Sequence, residues 1–146
     1  MRSLIPHSKP YVSKEDIDAV SKQVKSGMHS SGSSVKKFEN EFVKYIGAKY
    51  AKATSSGTTA LHLALLSLGV KKGDEVIIPS FVCSSVMSAV KMTGATPILA
   101  DIQDDFPHKG YNISGEKINN LINKKTKAII VPHMFGIPAD LESIIK

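Results

Sequence analysis

A chain of 146 residues, 42% apolar and 22% charged, is one domain by length and holds enough apolar surface for a real core, which excludes an intrinsically disordered protein. Its net charge of +6 comes almost wholly from spread-out lysines, with Arg2 the lone arginine; nucleic-acid readers lean on arginine forks, so a solvated surface that could still draw an anionic small substrate is the better account. Cys83 is the single cysteine and the five histidines are scattered, which excludes an internal disulfide and argues against a metal site; no apolar run approaches the roughly eighteen residues of a membrane helix and the N-terminus lacks a signal-peptide core, so a cytoplasmic protein is expected.

In chain order, Ser13-Lys14-Glu15-Asp16 reads as a cap with an acidic first turn, and Ile17, Val20 and Val24 repeat at helical spacing until Gly27 stops them. A polar loop over 28–34 follows. Val35, Phe38, Phe42 and Ile46 trace a second amphipathic helix ending at Gly47. The pattern then alternates: strand 50–54, helix 58–68, strand 75–79, helix 83–92, strand 96–100, a loop, helix 114–123 and strand 127–131. Strands alternating with helices predict crossover units. The runs Val76-Ile77-Ile78, Pro97-Ile98-Leu99 and Ala128-Ile129-Ile130-Val131 are continuously apolar, as parallel strands covered on both faces should be. The predicted fold class is therefore α/β, an open, mainly parallel sheet flanked by helices.

The stretch Ser55-Ser56-Gly57-Thr58-Thr59-Ala60-Leu61 joins the first predicted strand to a helix and has the chemistry of a phosphate cradle. Gly57 lets an anion approach the backbone, the N–H groups of Thr58 and Thr59 point at it, and the helix dipole adds roughly 0.3–1 kcal/mol. Helix capping alone explains the same residues equally well. The stretch is neither a Walker loop nor a three-glycine dinucleotide fingerprint, which counts against ATP hydrolysis and NAD chemistry. Ligands of such sheets bind at the carboxyl ends of the strands, and those ends hold Thr54 to Gly57, Pro79 to Cys83, Asp101 and Pro132 to Gly136. For Asp101 a capping role outweighs catalysis, for His133 a site rim and a satisfied core histidine balance, and His62 reads as core.

Ile5-Pro6 with Lys9-Pro10, Ser26-Gly27 followed by Ser30-Ser31-Gly32, SSGTTALHLAL, GDEVIIPSF, GATPILADI, Tyr111-Asn112-Ile113 and TKAIIVPHMFGIPADL stand in one order and spacing. In that conjunction the chain resembles the N-terminal part of the DegT/StrS family of pyridoxal-phosphate (PLP) dependent sugar aminotransferases. The resemblance implies the large domain of a fold-type-I PLP enzyme, divided as an N-terminal helical segment over 1–48 and an incomplete PLP-binding domain over 49–146. It also implies PLP as cofactor, a nucleotide-linked keto sugar and an amino donor, usually glutamate, as substrates, and a homodimer. Gly57 and Thr58 fall where the family binds the cofactor phosphate, flanked by Ser56 and Thr59. Met28, His29, Ser30 and Ser31 fall on the loop that approaches the substrate.

Two departures accompany the resemblance. The position four after Pro79, usually aromatic and stacked on the cofactor ring, is Cys83, which covers a ring with sulfur but cannot stack; alternatively Cys83 is an ordinary buried thiol and Phe81 takes the ring. The family's acidic partner of the pyridine nitrogen and its Schiff-base lysine lie past the PADL helix, where this sequence ends, so no catalytic residue is assigned and the chain alone is expected to be inactive. The strands that normally separate the strand at 127–131 from that at 50–54 are missing too. A non-catalytic remnant that binds a phosphorylated ligand or a partner subunit is the competing reading.

Overall fold

The computed structural model describes residues 5, 6, 8–103 and 110–145. His7, His108 and residues 104–109 of the loop predicted after Ala100 lie outside them. The chain forms two compact units, Met1–Ala53 and Thr54–Lys146.

The first unit holds two amphipathic helices, α1 (Lys14–Lys25) and α2 (Ser33–Ile46). A complete capping box starts α1: the Ser13 hydroxyl accepts from the Asp16 N–H at 3.1 Å while the Asp16 carboxylate accepts from the Ser13 N–H at 2.9 Å. Gly47 ends α2 in the left-handed region at φ 66°, its N–H returning to the Val43 carbonyl. No residue of either helix is buried.

The predicted strand at 50–54 does not form. A strand exists through pairing, and among the described residues none lies alongside; instead the Ala53 N–H donates to Glu39 Oε1 at 3.0 Å, so a side chain of α2 takes the bond a ladder would have used.

The second unit is a three-stranded parallel sheet in the order β2-β1-β3, with β1 at Glu75–Pro79, β2 at Thr96–Ala100 and β3 at Thr126–Ile129. Its helices are α3 (Gly57–Ser67), α4 (Ser84–Met92), α5 (Gly115–Asn119) and α6 (Leu141–Ile145). Alternation along β1 sorts the core. Val76 and Ile78 pack with Leu65 of α3 and Val86 and Val90 of α4, while Ile77 points to the other face, against Ile113, Ile118 of α5 and Ile144 of α6. Burial on both faces explains why the strand is continuously apolar.

Two elements are shorter than predicted, each for a local reason. The β1–β3 ladder runs until the Ile130 N–H donates to the Ile77 carbonyl at 2.9 Å. The next rung would need the N–H of Pro79, which proline lacks, so β3 stops short of Val131. Helix α5 ends at Asn119 because the polar chain of Asn123 competes for the backbone: it donates to the Leu121 carbonyl, accepts from the Lys125 N–H and reaches Glu75 Oε2 at 2.7 Å, turning the chain into β3.

Candidate functional site

The phosphate-cradle residues open α3. Ser56 is its N-cap, with its hydroxyl accepting from the Thr59 N–H at 3.2 Å and lying 2.9 Å from Thr59 Oγ1. Thr59 therefore spends its N–H on the cap, a correction to its place among the anion-facing donors. The N–H groups of Gly57 and Thr58 have no partner among the described residues. Gly57 is exposed, its φ lies outside the left-handed region, and a Cβ built on it would meet nothing within 4 Å. Neither local conformation nor packing demands glycine here; what glycine leaves is open approach to two donors. Around them Thr54 Oγ1 donates to the Ser56 carbonyl at 3.0 Å, and Ser55 Oγ stands 3.4 Å from Thr59 Oγ1.

The carboxyl end of β1 carries the next group. Ser80 stays with β2 through its N–H to the Ala100 carbonyl, and its hydroxyl donates to Asp101 Oδ1 at 2.7 Å. Cys83 is the N-cap of α4 and is exposed, which overturns the buried-thiol alternative. The Ser85 hydroxyl, and after it the Ser85 N–H, hold the thiol below its ordinary pKa. Phe81 stacks on Tyr111, centroids 4.8 Å apart and planes inclined by 28°, and Tyr111 meets the edge of Phe135 at 5.4 Å.

Beyond β3 the chain makes a tight turn at Met134–Gly136 in which Phe135 adopts φ 54°, the one positive φ among the described non-glycine residues. Asn112 enforces it. Only 1% exposed, this side chain donates to the Ile137 and Pro138 carbonyls at 3.0 and 3.2 Å and accepts from the Met134 N–H at 3.0 Å. His133 Nδ1 accepts from the Ala139 N–H at 3.0 Å, so the ring is a fixed part of the turn. His62, read as core, is half-buried.

In the first unit, Met28, His29, Ser30 and Ser31 lie in the loop between α1 and α2, beside a cavity of about 400 Å3. Gln23 Nε2 donates to the Met28 carbonyl, Ser34 Oγ donates to Gln23 Oε1 at 2.7 Å, and His29 Nε2 stands 3.1 Å from the Val24 carbonyl. Asn112 and Gln23 were given no role in the sequence; both act on partners that no local pattern points to. Among the described residues no group of acidic, histidine or cysteine side chains could hold a metal ion, and no helix is long and apolar enough to cross a membrane.

A parallel sheet with helices packed on both faces makes the second unit an α/β domain, the class whose ligands bind at the carboxyl ends of the strands. The sequence profile of the DegT/DnrJ/EryC1/StrS aminotransferase family matches residues 10–146, and the chain belongs to that family. It is 43% identical to the GDP-perosamine synthase of Escherichia coli O157:H7 over 117 residues, covering 80% of this chain and 31% of that protein. It is 38% identical to the spore coat polysaccharide biosynthesis protein SpsC of Bacillus subtilis over 141 residues, 97% of this chain and 35% of the relative. In structure it is similar to Spr1654 of Streptococcus pneumoniae in its PLP form, a protein assigned as a sugar aminotransferase, with a TM-score of 0.88 and 31% identity over 97% of this chain and 35% of that one. The chain thus spans about a third of the length of the curated relatives it matches.

Proposed function

We propose that the chain supplies the N-terminal part of a cytoplasmic PLP-dependent aminotransferase that moves an amino group, from a donor such as glutamate, to a keto carbon of a nucleotide-linked sugar in amino-sugar or cell-surface polysaccharide biosynthesis. The observation that carries this reading is the pair of open N–H groups at Gly57 and Thr58, within the segment matched by the family. They fit a cofactor phosphate: two donors, a helix dipole worth roughly 0.3–1 kcal/mol and hydroxyls of Ser56 and Thr59 to complete the hydrogen bonding. Bound PLP would supply the electron sink for amino transfer. Phe81 is engaged with Tyr111, which leaves Cys83 as the side chain offered to the cofactor ring. The loop at Met28 to Ser31 holds the sugar substrate.

We place the lysine that attaches the cofactor and the acid that pairs its ring nitrogen outside residues 1–146, so this chain by itself does not turn over. The outer edge of β3 has no paired strand among the described residues, and a cavity of about 480 Å3 beside it is lined by Ala128, Ile129, Val131, Leu141 and Ile144. Further strands of the same enzyme cover that edge, and two copies of the enzyme pair as a homodimer. A non-catalytic remnant that binds a phosphorylated ligand or a partner subunit is the second reading, resting on the same open N–H pair; an intact mass above that of 146 residues for the natural protein counts against it.

Equilibrium binding of PLP to the chain tests the cup. Gly57→Ala places a methyl group in the approach and is expected to weaken PLP binding by about tenfold, roughly 1.4 kcal/mol, with thermal stability kept. Equal binding by the wild type and the variant would remove the cup from the reading. Borohydride reduction of the mixture is expected to fix the cofactor on no single lysine; clean labelling of one lysine with turnover of a keto sugar would overturn the inactivity of the isolated chain.

A further inference from the structure

The loop from Ser26 to Gly32 has little packing to hold it: Met28 is exposed, as are His29, Ser30 and Ser31, and a cavity lies beside it. Its shape rests on polar contacts, and these converge on one residue. Gln23, half-buried in the last turns of α1, uses both ends of its amide, the nitrogen donating to the Met28 carbonyl in the loop and the oxygen accepting from the Ser34 hydroxyl in the first turn of α2, just past its end. The Gln23 carbonyl also accepts from Ser26 Oγ at 2.7 Å, and Ser26 Oγ in turn accepts from the Met28 N–H at 3.2 Å. A single amide so bridges the two ends of the loop, and only a side chain with a donor and an acceptor on one carbon can do this. Within the loop, Met28 Cε lies 2.9 Å from where a Cβ on Gly32 would sit, a contact that the flexible end of the methionine side chain can relieve.

We infer that Gln23 is a positioning residue: it holds the Met28–Ser31 loop in one conformation and thereby sets how well that loop receives the sugar substrate. This rests on the reading of the loop under the proposed function. Preorganisation lowers the ordering cost of binding, so losing the bridge weakens substrate binding and leaves the chemical step alone.

Gln23→Met keeps the length and apolar volume while removing both bonds; Ser34→Ala removes one. In the 146-residue chain, amide hydrogen exchange over 26–34 is expected to speed up about tenfold in Gln23→Met and less in Ser34→Ala, with exchange in the rest of α2 unchanged. In the complete enzyme, assayed with a GDP-linked keto sugar and glutamate, Gln23→Met is expected to raise KM for the sugar about five- to thirtyfold with kcat within about twofold. Unchanged exchange in Gln23→Met overturns the bridge. Faster exchange with an unchanged KM overturns the positioning role while the aminotransferase reading stands. A fall in kcat and in thermal stability at constant KM marks a structural residue only and overturns it as well. No amino transfer by the wild-type complete enzyme fails the proposed function itself, and the inference with it.

Discussion

The two units hold their shapes by different means. In the unit that carries the sheet, Val76, Ile77 and Ile78 are wholly buried and helices cover both faces, so the fold is stabilised by apolar area removed from water. In the helical unit no helical residue is buried, and conformation is set by local polar contacts: the Ser13–Asp16 capping box, the Gln23 bridge and the Glu39 carboxylate on Ala53. A sheet core tolerates change at its rim and fails at its centre; a polar lattice fails one contact at a time. The cup at the start of α3 belongs to the unit with the apolar core, and the loop between α1 and α2 to the unit set by polar contacts.

The widest contrast is expected from cavity-forming substitutions. Ile77→Ala should cost about 2–5 kcal/mol in urea unfolding, since it empties the centre of β1, whereas Val20→Ala on the exposed stripe of α1 should stay within about 0.5 kcal/mol. Similar costs for the two would mean that the helical stripe is itself part of a core. Next, Asn112→Ala leaves the Met134 N–H and two carbonyls without their buried partner and should cost about 1–3 kcal/mol, with faster proteolysis at 133–139 as the specific sign.

A smaller effect separates two glycines. Gly47→Ala forces a Cβ into the left-handed region and should cost about 1–2 kcal/mol in the helical unit, while Gly57→Ala, free of that constraint, should not lower the midpoint at all. Equal losses would place a structural demand on Gly57 and weaken the case for its approach role.

The smallest effect is a response to acid. The Ser13 N–H, and after it the Ser13 hydroxyl, hold the Asp16 carboxyl below its ordinary pKa. Folded pKa below unfolded pKa means the contribution is present above the ordinary carboxylate range and is lost as pH falls through the folded value. Glu39 is lowered in the same direction, chiefly by the Ala53 N–H. Acidification should therefore loosen the helical unit, seen as frayed α1 amides, before the sheet responds; simultaneous loss in both units would contradict the division of labour.

Much of this was legible in the sequence where the cause is local. The run 76–78 announces a strand because a strand covered on both faces has no polar option, while 97–99 and 128–131 are apolar though only part-covered, Leu99 being half exposed; Gly27 and Gly47 mark helix ends because their backbones are left-handed. The segment 50–54 has strand composition too, yet composition offers no neighbour to pair with. At the cup, capping and anion approach were competing accounts of the same residues; Ser56 and Thr59 serve the cap, and the N–H groups of Gly57 and Thr58 have no partner among the described residues. Asn112 stood in a quoted segment, but its role in the turn was invisible because its partners lie 22 to 26 residues away, and that of Gln23 because a lone amide on a helix has no pattern.

Pro79 belongs to neither the core argument nor the cup, yet it shapes the ground between them. After it, β1 keeps hold of β2 through Ser80 but has released β3, so the sheet parts on one side only, like a seam left unstitched past a chosen point. The parting is written into covalent chemistry, since no rearrangement of side chains can give a proline nitrogen a proton to donate. Replacing it with valine would offer Ile130 another rung, and the chain that leads to His133 and Phe135 would be drawn back toward the sheet.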